Sequence, residues 1–324
     1  MRTLLVTGGA GFIGSNFIDD VLSNDDDVRV VCYDKLALGS SVKTLSVLAK
    51  WGRFTFVKGD IADEEAVERL FCSFPFDAVV NFAAESHVDR SITDPLTFVR
   101  SNVMGVAVLL DACLRHGVRR FHQVSTDEVY GDTPIESCEL FTEASPLHPS
   151  SPYSASKASA DLLCLSYWRT YGLDVTITRC GNNYGRWQHY EKLIPHMVIN
   201  SHLGRPLPIY GDGHNVRDWI AVGDHCRAIR LVLEKGCSGE VYNVGSDDLL
   251  SNLEVVDRIL SLVGKGRELV TFVPDRPGHD RRYALDSTKL RSLGWAPQVS
   301  FEEGLSSTVS FYLDNEDWWR EQLL

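Results

Sequence analysis

Two nearby segments carry side chains able to move protons. Ser125-Thr126-Asp127-Glu128-Val129-Tyr130-Gly131 holds two adjacent carboxyls, and Tyr153-Ser154-Ala155-Ser156-Lys157 follows it. A Tyr-x-x-x-Lys step sets the phenol and the ammonium one turn apart on one helix face. An unperturbed tyrosine, with a pKa near ~10, is a poor base at neutral pH. A neighbouring ammonium stabilises the phenolate, so Tyr153 with Lys157 is expected to take a proton from a hydroxyl. A simple alcohol oxidation needs no further carboxyls. Chemistry that takes a proton from carbon and expels a hydroxyl does, and Asp127 and Glu128 could supply both steps. The pair follows Phe121-His122-Gln123-Val124, at the carboxyl end of an expected strand, where open α/β sheets bind their ligands.

A lone Tyr-x-x-x-Lys is common by chance; the start of the chain gives this one meaning. Leu4-Leu5-Val6-Thr7 reads as a buried parallel strand and leads into Gly8-Gly9-Ala10-Gly11-Phe12-Ile13-Gly14, which opens a helical pattern. Such glycines let backbone N–H groups approach a pyrophosphate at a helix N-terminus. A second apolar run, Val28 to Tyr33, ends in Asp34. An acid about 20 residues beyond the last glycine is placed to accept from the adenosine ribose hydroxyls, which favours NAD over NADP.

To hold these groups the chain needs alternating strands and helices. Strands are expected at 3–7, 28–33, 54–57, 78–82, 120–125 and 174–179, with helices beginning near Ile13, Ser41, Glu64, Leu96 and Ser151. That alternation predicts an α/β fold, a doubly wound parallel (Rossmann) sheet. Beyond Gly181 the pattern loosens around Pro195, Pro206, Pro208 and the loop 275–280, as in a smaller α+β lobe closing over a ligand. The division expected is a cofactor domain over 1–180 and a substrate lobe over 181–324.

Apolar content of 44% with 23% charged residues suits a soluble globular protein. The net charge of −12 disfavours nucleic acid as a partner. Met1-Arg2-Thr3 runs straight into the first strand, so no signal peptide is expected. No apolar stretch approaches the roughly 18 residues of a membrane span. Eight cysteines lack C-x-x-C spacing, no metal site is expected, and several lie in apolar runs, as free thiols in a reducing cytoplasm do.

The segments quoted so far do not stand alone. Gly59-Asp60-Ile61, Phe82-Ala83-Ala84-Glu85-Ser86-His87, Cys180-Gly181-Asn182-Asn183-Tyr184-Gly185, Glu191-Lys192-Leu193-Ile194-Pro195, Pro206 to Gly211, Val216-Arg217-Asp218-Trp219 and Asp275-Arg276-Pro277-Gly278-His279-Asp280 occur in order with them. Together they resemble the extended short-chain dehydrogenase/reductase superfamily, and within its nucleotide-sugar branch the dTDP-glucose 4,6-dehydratases. The resemblance implies conversion of a dTDP-glucose to its 4-keto-6-deoxy product plus water, with NAD reduced and reoxidised in one turnover. Tyr153 with Lys157 would take the O4 proton and Thr126 would steady that oxygen. Glu128 would remove the C5 proton, and Asp127, kept protonated by burial and by Glu128, would protonate the leaving hydroxyl.

Cofactor contacts are implied for Gly8, Gly11, Phe12, Ile13, Gly14, Asp34, Lys35, Leu36, Asp60, Ile61, Ala83, Ala84, Ser86, Tyr153, Lys157 and Asn183. Substrate contacts are implied for His87, Thr126, Asn182, Lys192, Leu193, Pro208, Ile209, Tyr210, Arg217, Asn252, Arg276 and His279, with Arg217 as the diphosphate clamp. A strand near Ile220 and a helix from Gly223 would return to the first lobe, so that part of 217–246 rejoins the cofactor domain. The apolar helices around Phe98–Leu114 and Ser154–Tyr171 would pair with a second copy in a four-helix homodimer interface. Two departures from the family pattern stand out. Ala37-Leu38-Gly39-Ser40-Ser41 follows Leu36 where Thr-Tyr-Ala-Gly-Asn is usual, and Arg186-Trp187-Gln188-His189-Tyr190 stands where Pro-Tyr-Gln-Phe-Pro is usual. The alternatives on this scaffold are a 4-epimerase, a nucleotide-glucuronate decarboxylase, or 4,6-dehydration of a different nucleotide sugar.

Overall fold

Seven parallel strands form the main sheet in the computed structural model, which describes residues 1–323. They are β1 (Arg2–Thr7), β2 (Val28–Asp34), β3 (Phe54–Lys58), β4 (Ala78–Asn81), β5 (Arg120–Thr126), β6 (Val175–Cys180) and, much later in the chain, β10 (Glu240–Val244). Their order is β10-β6-β5-β4-β1-β2-β3. The chain runs outward from β1 through β2 and β3, then returns to the other side of β1 at β4. The carboxyl ends of β1 and β4 therefore flank the switch point, where a crevice opens. The sheet is buried on both faces. Leu5, Val31, Val79 and Phe121 pack into one core with the helices over 64–73, 105–115 and 152–171. Val6, Val30, Val80 and Val124 pack on the other side against the helices Phe12–Asn24 and Val222–Lys235.

The remaining strands are β7 (Asn182–Tyr184), β8 (Leu207–Tyr210), β9 (Val216–Ala221), β11 (Leu249–Ser251) and β12 (Val270–Val273). They form a three-stranded sheet, β11-β9-β7, and a parallel pair, β12-β8. Both lie over a separate core built from the helices Leu193–His202, Asn252–Val263 and Phe301–Asp314.

Two expectations need correcting. The strand near Ile220 is β9, which joins the three-stranded sheet; β10 is the strand that extends the main sheet, parallel to β6. Ile220 still packs with Tyr242 and Val244 of β10, which is why the segment reads as belonging to both. Nor is the chain free of long apolar helix: Pro95–Arg115 is 21 residues long, with a mean hydropathy of 1.4 in its best window. Half of that window is buried inside the protein, and its Asn102 side chain is bonded to Glu85 and Ser156. Those features belong to a core helix.

Candidate active site

Strand ends bring the two catalytic segments together. After Thr126 the chain makes a single 3₁₀ turn over Asp127–Tyr130, in which the Thr126 hydroxyl accepts from the Glu128 N–H at 3.3 Å. Gly131 ends the turn at φ +79°, where a Cβ would meet the His148 carbonyl oxygen at 2.4 Å. The turn is thus held at both ends, and its carboxyls are aimed into the crevice. Tyr153 stands at the start of the helix Pro152–Tyr171, capped reciprocally by Ser151 and Ser154 with proline in its first turn. A buried ion pair, Arg179–Asp161 at 2.8 Å, fastens that helix to β6, and Arg179 also reaches the Tyr130 hydroxyl at 2.9 Å. Turn and helix therefore move as one unit.

Thr126, Asp127, Glu128, Tyr153 and Lys157 all line one cleft. Asp127 is 2% exposed. Burial first, then Glu128, pushes its carboxyl well above the ordinary carboxylate range. One of its oxygens lies within 3.2 Å of the Thr126 hydroxyl; the other is buried with no hydrogen-bond partner among the described residues. That setting favours the protonated acid, the form that can donate. Burial raises Glu128 too, but Arg217, Arg276 and Lys192 pull the other way, and its side chain stays partly exposed. Glu128 is the member of the pair better placed to ionise and act as a base.

The Tyr153–Lys157 pair differs from the simple expectation. Lys157 Nζ donates to the Val124 carbonyl at 2.6 Å rather than facing the phenol alone. Burial raises Tyr153 well above the ordinary phenol value, Glu128, Cys180 and Asp127 add to this, and the Thr126 hydroxyl opposes it. The phenol therefore needs further positive charge nearby before it serves as a base.

The other half of the cleft suits a dinucleotide. A Cβ on Gly8 would stand 2.5 Å from the Ala83 nitrogen, and one on Gly14 2.5 Å from the Gly8 oxygen. The helix that opens at Gly11 has no side-chain cap, so its first N–H groups are free for phosphate oxygens. Asp34 steadies the loops around it by accepting from Ala10 N at 3.0 Å, Leu36 N at 2.7 Å and the Ser40 hydroxyl at 3.0 Å. Phe12, Ile13, Lys35, Asp60, Ile61, Ala83, Ala84, Ser86, His87, Asn182, Asn183 and Lys192 share the lining. Lys35 pairs with Glu85 at 2.8 Å. Burial drives His87 down to about 3, so a neutral imidazole lies 3.1 Å from the Glu191 carboxyl. The buried Ser125 hydroxyl has no partner among the described residues, a polar atom left for a ligand.

Nine of the residues expected at the site do not line this cleft. Leu36 packs its side chain against the core beside β1. Ile209 is 2% exposed in the core of the smaller lobe, so only its main chain could meet a ligand. Leu193 begins the helix Leu193–His202 and packs on that core, and Asn252 opens the helix Asn252–Val263. Pro208, Tyr210, Arg276 and His279 form a rim, where Tyr210 and Arg276 both approach Asp89, at 3.5 and 3.4 Å. Arg217 is turned inward: it stacks on the Tyr283 ring at 4.5 Å and donates to the Val216 and Asp280 carbonyls at 2.8 and 2.9 Å. These contacts brace it like a strut, and its charge bears on Asp127 and Glu128. Arg217→Ala should lower stability by roughly 1.5–3 kcal/mol, the worth of hydrogen bonds from a charged donor. A urea midpoint equal to wild type would show that the strut contributes nothing.

The family described as GDP-mannose 4,6 dehydratase matches residues 5–308. The chain belongs to this family. A dTDP-glucose 4,6-dehydratase of Streptomyces niveus is 49% identical over 321 residues, covering 98% of this chain and 94% of its own. The low-salt glycan biosynthesis protein Agl12 of Haloferax volcanii is 51% identical over 314 residues, covering 97% and 99%. Among solved structures, the dTDP-glucose 4,6-dehydratase DesIV of Streptomyces venezuelae, crystallised with NAD bound, superposes with a TM-score of 0.95 at 47% identity, covering 99% of this chain and all of that one. For this member of the GDP-mannose 4,6 dehydratase family, the structure also adds lining residues that the sequence did not single out: Tyr33, Ser101, Ser125, Cys180, Gln188 and His189. Ser125 was legible, being adjacent to Thr126. Ser101 comes from the helix across the cleft, and nothing in its local pattern marks it.

Proposed function

We propose that the protein dehydrates dTDP-glucose to dTDP-4-keto-6-deoxyglucose, with NAD as a resident cofactor. One observation carries this reading: a buried carboxyl whose protonated form is favoured, Asp127, lies beside a more exposed one, Glu128, in the same cleft as Tyr153. Oxidation alone, or epimerisation, has no use for that pair. The likeness to dTDP-glucose 4,6-dehydratases over nearly the whole chain supports it.

NAD when bound accepts a hydride from C4 and returns one to C6, and its cationic ring adds the positive charge that the Tyr153 phenol lacks. The glycine loop holds the pyrophosphate, and Asp34 and Lys157 the two riboses. Tyr153 takes the O4 proton while Thr126 donates to that oxygen. The C4 ketone acidifies the C5 proton, which Glu128 removes. Asp127 gives its proton to O6, which leaves as water. Glu128 then returns its proton to C5. Tyr153 ends protonated and Asp127 ionised, so one proton passes back between them through solvent before the next turnover. Lys192, Arg217 and Arg276, whose charges all bear on Glu128, give a strongly acidic chain a local positive field for the diphosphate.

We read residues 1–180 as the cofactor domain, rejoined by the helix Val222–Lys235 and β10, and the rest of 181–324 as the sugar-nucleotide lobe. Two copies pair through Pro95–Arg115 and Pro152–Tyr171. These helices leave Leu96 76%, Leu162 59% and Met104 56% exposed, a burden of apolar surface that a monomer seldom carries. The reading places the enzyme in the cytoplasm.

Product analysis tests it. Incubation with dTDP-glucose should give a 6-methyl 4-ketosugar, whereas a 4-epimer, or carbon dioxide from a glucuronate substrate, would overturn it. The purified protein should also carry NAD and turn over without added cofactor, because a cofactor recycled in place gains nothing by leaving. Dialysed protein without nucleotide, active only with NADP, would contradict the role given to Asp34.

A further inference from the structure

The loop Gly185–Lys192 departs from the family pattern and supplies Gln188, His189 and Lys192 to the cleft wall. Where two prolines are usual it has instead a set of contacts to the helix that follows the glycine loop. Arg186 Nε donates to Asn16 Oδ1 at 3.0 Å, and the Asn16 amide donates back to the Arg186 carbonyl at 3.1 Å. An Arg186 terminal nitrogen reaches Asp19 at 2.6 Å, while the other oxygen of Asp19 accepts from the Trp51 indole at 3.0 Å. The guanidinium lies 4.1 Å from the centre of the Trp187 ring. Trp187 itself is 7% exposed and held at φ +67°, a backbone conformation that costs a non-glycine residue energy and persists only where its surroundings enforce it. Gln188 then donates to the Asn183 carbonyl at 2.9 Å.

We infer that Arg186, with Asn16 and Asp19, is a clasp that ties the substrate-side loop to the dinucleotide helix and sets how long the cofactor stays bound. The inference rests on the function proposed above. The two walls joined by the clasp both line the cleft: the helix opening at Gly11 and Phe12 on one side, and Gln188, His189 and Lys192 on the other. Arg186 touches no reacting atom and acts as a positioning residue. Its ion pair with Asp19 is half exposed and on its own worth little. The reciprocal bonding with the buried Asn16 and the stacking on buried Trp187 make the clasp directional.

The test is exchange of bound NAD. Purified wild-type protein, Arg186→Met and Arg186→Lys are loaded with labelled NAD and chased with unlabelled NAD. Arg186→Met keeps the apolar stem but no donor, and should release label ~10-fold faster or more, the scale of one charge-assisted hydrogen bond. Excess NAD should restore its turnover, so the loss appears in the concentration of NAD required and not in kcat. Arg186→Lys, with one contact in place of several, should fall between. Exchange at the wild-type rate in Arg186→Met, or a kcat loss that NAD does not restore, would overturn the clasp and leave the functional reading intact. A wild-type protein holding no NAD would overturn both.

Discussion

Tyr153→Phe is expected to cut oxidation at C4 by ~10²–10⁴-fold, the usual contribution of a positioned general base. Only a hydroxyl is removed. The ring keeps its packing against Phe98 and the helix keeps its Ser151 cap, so the urea midpoint should stay close to wild type. Single-turnover absorbance of the reduced cofactor reads the step directly. Near wild-type oxidation would mean that the O4 proton leaves by another route, and Lys157, bonded to the Val124 carbonyl, offers none.

The second large effect separates the two carboxyls. Asp127→Asn keeps the shape of the side chain but cannot act as an acid toward the leaving oxygen. Oxidation by Tyr153 should survive while water loss slows by ~10²-fold or more, so reduced-cofactor absorbance should build up. A substrate with fluoride in place of the C6 hydroxyl needs less protonation and should recover much of the lost rate. Glu128→Gln should also be slow, but fluoride should not rescue it, because C5 still lacks its base. Equal rescue of both variants would show that the division of labour is wrong. The structural basis for the division is the difference in setting. Asp127 is sealed, with one carboxylate oxygen unpartnered among the described residues. Glu128 is partly exposed and lies under the charges of Arg217, Arg276 and Lys192.

Much of this site was legible because its residues act locally. The glycine loop, Asp34, the Thr126–Glu128 turn and the Tyr153–Lys157 step each lie at one strand end or helix start, so a few consecutive residues carry the whole signal. What was not legible depends on distant partners. Arg217 reads as a phosphate clamp from its type, and nothing near it in the chain shows that its guanidinium also donates to the Asp280 carbonyl and stacks on Tyr283, more than sixty residues on. In β8 the alternation was present to be used: Leu207 and Ile209 are buried, while Pro208 and Tyr210 are not, which excludes the Ile209 side chain from the cleft. β10 was missed because a five-residue strand beyond the regular alternation carries no mark of the sheet it will join. The loop 185–192 has no periodicity to read, and its place became clear only with the Arg186 contacts.

The central claim is that a hydride leaves C4 and returns to C6 of the same sugar while water is lost between. Turnover of dTDP-glucose deuterated at C4 tests it most directly. The mechanism predicts a product whose C6 methyl carries one deuterium retained from C4, with a hydrogen at C5 and no net reduction of NAD. Deuterium found back at C4 of an intact hexose, or lost from the sugar altogether, would contradict it.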